Sequence, residues 1–306
     1  MQRIFLVSHK KGYHGYEDYV NSLRCTLSTL YNNLEIIVVV YEQEQSIPDE
    51  RQSLYFFLNY ITPHFFNLFI TNQNLHIYLI NTEQVTRHIW DIISKHYMEK
   101  GVTILDYDLY QTSILQKIKF NSQIHYLPYQ ITKNETERLR SLITQSTKSY
   151  DVAFCTTNHS RKRLSLYNQL ENLGFQLVDA NGWGDVRDRK IAQSKILVNI
   201  HFDKDYQIFE HMRCDRWILS GMLIVSESSL SDELFDCRDL LIIDKYENLA
   251  QVVTRILANY QYYYAQYLEK LKQYSEMITD QRISLCQKIC GETILGGTKS
   301  HIATSE

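Results

Sequence analysis

The chain has 306 residues, 44% of them apolar and 22% charged, with a formal net charge of −3. That length holds one large domain or two ordinary ones, and the composition is that of a soluble globular protein. The charge gives no broad attraction to nucleic acid or anionic membranes, no apolar run approaches the roughly 18 residues of a membrane helix, and 3 Pro with 10 Gly speak against long disordered linkers.

Short apolar runs recur along the first part of the chain: Ile4–Val7, Ile36–Val40, His76–Ile80, Val102–Leu105 and Ile124–Leu127. Each reads as a buried strand. After a polar stretch, Thr132–Tyr150, they resume at Val152–Cys155, Phe175–Val178, Ile196–Ile200, Met222–Val225 and Leu240–Ile243. Helix-compatible stretches lie between them, among them Glu17–Tyr31, Gln84–Lys100, Arg161–Leu173 and Phe209–Ser220. Alternation of β and α predicts an α/β protein with parallel sheets covered on both faces. The pause divides it into domains at residues 1–131 and 151–256, joined by 132–150.

From Glu247 to about Cys290 the pattern is one long helix-compatible stretch, with a break expected near Thr279–Asp280. Tyr260, Tyr263, Tyr264, Tyr267, Leu271 and Tyr274 follow helical spacing and form an apolar stripe that must be covered. A helix at 257–290 and a fraying tail at 291–306 follow. The 23 tyrosines either supply platforms for sugar rings and bases or reflect an AT-rich coding sequence. The N-terminus has no stretch long enough for a secretory signal, and Cys25, Cys155, Cys214, Cys237, Cys286 and Cys290 form no CxxC pair. Reduced thiols and a cytoplasmic location are the expectation.

Polar clusters sit where the strands end. Ser8-His9-Lys10-Lys11-Gly12-Tyr13-His14-Gly15 follows the first strand, with Asp18 beyond it. It is neither a dinucleotide fingerprint nor a phosphate loop. His9, His14 or Asp18 could serve as a base towards a hydroxyl; a solvated loop leading into a helix is the alternative. Thr156, Asn158, Arg161, Lys162 and Arg163 lie at a strand-to-helix junction, where hydroxyls, amides and cations suit a diphosphate. Trp183, between Gly182 and Gly184, could cover a base or sugar, or pack on its own domain. Asn199 and His201 end a strand; Glu210 and Arg213 lie near the next helix start, three apart on one face, either as an internal ion pair or as ligands for hydroxyls and phosphate. In open α/β sheets, ligands bind at this carboxyl edge.

The order SKILVNIH, FEHMRCDRWILSG, MLIVSE resembles the C-terminal half of GT-B glycosyltransferases, closest to group-1-like enzymes of bacteria and giant viruses. The matching positions are Asn199 and His201, Glu210 and Arg213, Gly221, and Val225-Ser226-Glu227. Asn81–Gln84, Leu105–Tyr107 and Tyr126–Tyr129 look like the same group, so the similarity spans about residues 75–245. One departure is clear: the paired glutamates of many retaining members would fall at Arg216 and Ile208.

The resemblance implies two Rossmann-like domains facing a cleft, with a C-terminal helix crossing back to the first. It implies transfer of a sugar from a nucleoside-diphosphate sugar to a carbohydrate or other hydroxyl acceptor, without metal or other cofactor. The donor would be held by Thr156, Asn158, Arg161, Arg163, Trp183, Asn199, His201, Glu210 and Arg213 in the second domain. His9, His14, Asp18 and Glu210 are the catalytic candidates, and the acceptor would lie on the first domain. A nucleotide-sugar 2-epimerase of the same fold and a non-catalytic nucleotide-sugar-binding protein are the alternatives.

Overall fold

The computed structural model describes residues 3–50, 52–71, 76–87, 96–118, 121–155 and 160–296, the last five as backbone only. The first half builds a parallel sheet from β1 (Arg3–His9), β2 (Glu35–Tyr41), β3 (Leu54–Leu58), β4 (His76–Asn81), β5 (Thr103–Asp106) and β6 (Ile124–Tyr126), in the order β2-β1-β3-β4-β5-β6. The second half builds another from β7 (Tyr150–Phe154), β8 (Leu177–Asp179), β9 (Ser194–Asn199), β10 (Ile224–Glu227) and β11 (Leu241–Asp244), in the order β11-β10-β9-β7-β8. Central strands covered on both faces need unbroken apolar runs. That is why Ile4–Val7 in β1 and all of Leu54–Leu58 are buried, whereas edge strand β2 is mostly half-buried.

Among the described residues the α-helices are α1 (Lys10–Leu30), α2 (Pro63–Thr71), α3 (Leu109–Lys117), α4 (Lys133–Gln145), α5 (Arg161–Asn172), α6 (Gly184–Ala192), α7 (His211–Ile218), α8 (Leu249–Ala258) and α9 (Tyr260–Gly296). Side chains close several of their exposed first turns. Asp108 accepts from Gln111 N at 2.8 Å, Thr132 from Glu135 N at 3.2 Å and Ser160 from Arg163 N at 3.2 Å.

Several expectations shift. The first sheet has a central strand, β3, that the run pattern did not single out; it pairs Ile4 with Leu54 and Leu54 with His76. Helix α1 starts at Lys10, not Glu17, because His9 Nδ1 accepts from Lys11 N at 3.1 Å and caps it. The glycine-bearing stretch taken as a loop is therefore the first turns of a helix. The helix expected over Gln84–Lys100 lies partly outside the described residues. The long C-terminal stretch breaks at Asn259, between α8 and α9, rather than near Thr279. Thr279 instead continues the helix, its hydroxyl bonded to Ser275 O at 2.8 Å.

The tyrosine stripe of α9 lies on the second half. Tyr264 Oη donates to Gly221 O at 3.2 Å, and Tyr267 Oη donates to Ile218 O. Contacts with first-half residues come later in α9: Tyr31 Oη donates to Gln287 O at 3.2 Å, and Arg282 Nη1 to Tyr129 O at 3.0 Å.

Candidate active site

The carboxyl ends of both sheets face a shared cleft of about 580 Å³. From the first half it is lined by Lys11 to Tyr16 of α1 in part, by Asn59 after β3, by Thr82, Glu83 and Arg87 after β4, and by Tyr107 after β5. From the second half come Cys155 after β7, Arg163 of α5, Gly182 and Trp183 after β8, Arg187 of α6, Phe202 and Tyr206 after β9, and Glu210–Arg213. This is the crevice that parallel topology creates, built here from two sheets at once.

The second-half wall is cationic. Arg163 is buried and donates through Nε and Nη2 to Ile200 O at 3.1 and 3.0 Å. Burial, and then the neighbouring Arg213 guanidinium, push the Arg163 pKa down to about 10. Arg213 Nη2 stands 3.6 Å from Glu210 Oε2. Gln84 Nε2, from the first half, reaches Glu210 Oε1 at 3.3 Å. Trp183 is 43% exposed and reaches α1, its ring edge within 3.6 Å of where a Cβ on Gly15 would lie.

The expected residues are only partly gathered. Arg163, Trp183, Glu210, Arg213 and His14 line the cleft. Thr156 and Asn158 lie outside the described residues. Arg161 is exposed on the first turn of α5 and is not part of the wall. Lys162 turns to Glu227 and lies 5.0 Å from the Tyr246 ring. His9 is spent on capping α1. Asn199 is buried behind the wall, donating to Ser226 Oγ at 3.0 Å. His201 is buried with it, its Nε2 3.2 Å from Ser228 O and 3.1 Å from Ser229 Oγ; burial holds its pKa below the ordinary histidine value. Asp18 does not line the cleft either. It is an ion partner of Arg187 and of Arg216, whose Nη1 lies 2.9 Å away.

Two buried charge networks brace the cleft from behind. In one, Arg216 binds Asp18, Glu135 and Asp188, with Arg187 sharing Asp18 and Asp188. In the other, His211 Nε2 meets Asp108 Oδ2 of the first half at 3.0 Å and His211 Nδ1 meets Asp215 Oδ2 at 3.2 Å. Arg282 of α9 then donates to Asp215 at 2.8 Å and to both oxygens of Asp236 at 2.6 and 2.7 Å. Burial alone would lower the His211 pKa, but Asp215 and Asp108 outweigh it and push it up to about 10, so the ring is an imidazolium. A third link joins the halves by a pair of hydrogen bonds: Gln84 Nε2 donates to Ile208 O at 3.0 Å while Gln84 Oε1 accepts from Ile208 N at 2.9 Å.

Sequence reasoning did not select Tyr16, Asn59, Thr82, Glu83, Arg87, Tyr107, Phe202, Tyr206 or His211 as site residues. The available signal was position: each follows the carboxyl end of a strand or opens the next helix. Among the described residues, no group of three or more His, Cys, Asp or Glu side chains has the arrangement of a metal site, and no helix is long and apolar enough to cross a membrane.

No family model matches the chain. It is 31% identical over 263 residues to uncharacterized protein L138 of Acanthamoeba polyphaga mimivirus, covering 82% of this chain but 28% of that protein. It is 29% identical over 262 residues to uncharacterized protein L140 of the same virus, covering 84% of this chain and 81% of the relative. The chain thus spans under a third of one relative and most of the other. Among solved structures, an alpha-glucosyltransferase in complex with UDP and a 13-mer DNA superimposes with a TM-score of 0.58 at 8% identity, over 96% of this chain and 100% of that one. A glycosyltransferase from Rickettsia africae superimposes with a TM-score of 0.56 at 10% identity, over 98% and 99%. At such identities the likeness is one of fold: two parallel sheets arranged as in glycosyltransferases.

Proposed function

We propose that the chain is a GT-B-type glycosyltransferase that moves a sugar from a nucleoside-diphosphate sugar to a hydroxyl acceptor across this cleft, without a metal. The observation that carries the reading is the pair of guanidiniums on the second-half wall. Buried Arg163 and half-buried Arg213 repel one another, and a diphosphate between them relieves that repulsion with charged hydrogen bonds. The UDP held by one structural neighbour makes a uridine nucleotide the first to try. In this reading the donor lies along Arg163, Trp183, Glu210 and Arg213, with Glu210 on ribose or sugar hydroxyls. The departing diphosphate is neutralised by fixed cations. The acceptor lies on the first-half wall. Helix α9 acts as a strap across both halves, its tyrosines on the second and its Arg282–Gln287 stretch against the first.

The experiment is calorimetric titration of UDP and of uridine in EDTA, with the wild type, Arg163→Ala and Arg213→Ala. A charged hydrogen bond contributes about 1.5–3 kcal/mol, so each variant is expected to lose roughly tenfold or more in UDP affinity and little for uridine. Equal losses for both ligands, or UDP binding that needs added Mg²⁺ or Mn²⁺, reject the reading. Incubation with UDP sugars then separates the activities. Slow UDP release marks a transferase, an isomerised sugar nucleotide an epimerase, and binding without turnover a binding protein.

A further inference from the structure

The first-half wall of the cleft carries a polar group that no mechanism has yet used. Asn59 follows β3 with φ at +72°, a backbone conformation that L residues seldom adopt. It turns the amide over the start of α1, where a Cβ on Gly12 would lie 3.7 Å from both Asn59 Nδ2 and the Tyr16 ring. Thr82 and the Tyr16 hydroxyl close the same corner. Asn59 and Thr82 each hydrogen-bond the Tyr16 hydroxyl, while Asn59 Oδ1 is buried without a partner. The three side chains form one polar corner on the cleft lining, with the Asn59 carbonyl oxygen left for a donor from a ligand.

Glu83 stands next to them, held in place from several sides. Its backbone N donates to Asn81 Oδ1 at 3.0 Å, and Asn81 Nδ2 donates back to Glu83 O at 2.8 Å and to buried Asp106 at 2.6 Å. Arg87 binds Glu83 Oε2 and is itself stacked 4.5 Å over the Tyr206 ring of the second half. The charged and titratable groups facing Glu83 are therefore Arg87 on its own loop, Tyr16 on α1, Tyr107 after β5, and Tyr206 and Glu210 from the second half. Burial raises the Glu83 pKa, Arg87 opposes that, and Glu210 adds to it; the net direction is upward, towards a better proton acceptor.

We propose that Glu83 takes the proton of the incoming hydroxyl, and that Asn59, Thr82 and Tyr16 seat a polyhydroxylated, carbohydrate acceptor beside it. This rests on the transferase reading above. In the step, the acceptor oxygen forms a bond to the anomeric carbon while the bond from that carbon to the phosphate oxygen breaks. The electron pair leaves with the diphosphate, and the hydroxyl proton passes to Glu83 Oε1, since Arg87 occupies Oε2. A single displacement inverts the anomeric configuration. Glu210, bound to Arg213 and Gln84, stays on the donor side.

The test uses the full chain with UDP-glucose, UDP-galactose and UDP-N-acetylglucosamine as donors, maltose as acceptor probe, and azide as a nucleophile that carries no proton. Glu83→Gln is expected to lower maltose-dependent UDP release at least 100-fold, with UDP affinity by calorimetry within threefold of wild type. Azide, needing no base, restores release to within tenfold and gives the inverted glycosyl azide. Glu83→Asp recovers part of the maltose rate. Asn59→Ala and Thr82→Val raise KM for maltose and leave UDP affinity unchanged. Full turnover in Glu83→Gln with normal UDP binding overturns the proposal, as does a product of retained configuration, or a larger loss in His14→Ala than in Glu83→Gln. Failure of the underlying reading shows differently: the wild type then neither binds UDP nor releases it from any donor, and this proposal falls with it.

Discussion

Arg282→Met is the substitution whose cost can be worked most directly from the structure. Arg282 is 2% exposed. Its guanidinium donates to Asp236 twice, to Asp215, to the Tyr129 carbonyl and to Cys237 Sγ. Methionine keeps much of the volume and none of the donors. Burial pulls the Asp236 pKa up, but Arg282 outweighs it and holds it below the usual carboxylate range; without Arg282 the upward pull is opposed only by the weaker effects of His211 and Cys237. Asp215, fully buried, keeps His211 as a cationic partner. Breaking a buried pair from one side costs about 3–5 kcal/mol, a large share of the 5–15 kcal/mol typical of a whole domain. The cost depends on pH with a definite sign. In the wild type Arg282 holds the folded-state pKa of Asp236 below its unfolded value, so the stability of this pair is present above the unfolded pKa and is lost as pH falls through the folded one. The penalty is therefore largest near neutral pH and shrinks as Asp236 takes up a proton in acid. Urea denaturation followed by circular dichroism at pH 7.5 and pH 3.5 measures both. The expected loss is about 3–5 kcal/mol at the higher pH and clearly less at the lower. A loss under about 1 kcal/mol, the scale of a surface pair, or one that does not change with pH, refutes the reasoning.

His211 gives a complementary pH signature. Its folded pKa, about 10, lies above its ordinary value of 6.5, so its contribution is complete below pH 6.5, declines as pH rises, and is gone above pH 10. His211→Gln should flatten the stability profile between pH 7 and 9 by about 1.4 kcal/mol per pH unit relative to wild type; superimposable slopes would show that the ring is not an imidazolium. Gly221 has φ at +105° with open space around the position of a Cβ. Gly221→Ala should therefore cost about 1–2 kcal/mol by backbone strain alone, visible as a lower urea midpoint at unchanged m-value, and a neutral result would mean that the turn relaxes.

The strands were legible because parallel strands covered on both faces must be apolar throughout, which is how Ile4–Val7 and Ile196–Ile200 read. The start of α1 was not. Two glycines and five polar residues look like a loop, and what starts the helix there is a single local bond, the His9 cap, which composition does not reveal. Glu210 and Arg213 could be found because strand, loop and helix are adjacent in sequence. His211 between them could not, since its meaning lies in Asp108, 103 residues away. The same holds for Arg216, which occupies a position where a glutamate was sought and instead gathers carboxylates from α1, α4 and α6. Lys162 and Arg161 looked like phosphate ligands by composition; the direction of the first turn of α5 sends them elsewhere.

The seam between the halves has a division of labour in its charge. Asp18, Asp108 and Glu135 come from the N-terminal side and from α4, whereas Arg187, Arg216 and His211 come from the C-terminal side. Separated, the N-terminal face would expose mainly carboxylates and the C-terminal face the guanidiniums and imidazole with Asp188 and Asp215 among them, together with part of the apolar cluster that runs through both halves. Residues 146–149, between α4 and β7, are where the chain can be cut without dividing either set. Two fragments made there are expected to behave as partner proteins: drawn together over distance, and joining faster at low ionic strength than at high. Stopped-flow mixing would show it, and a rate indifferent to salt would mean that apolar contact rather than charge brings the halves together.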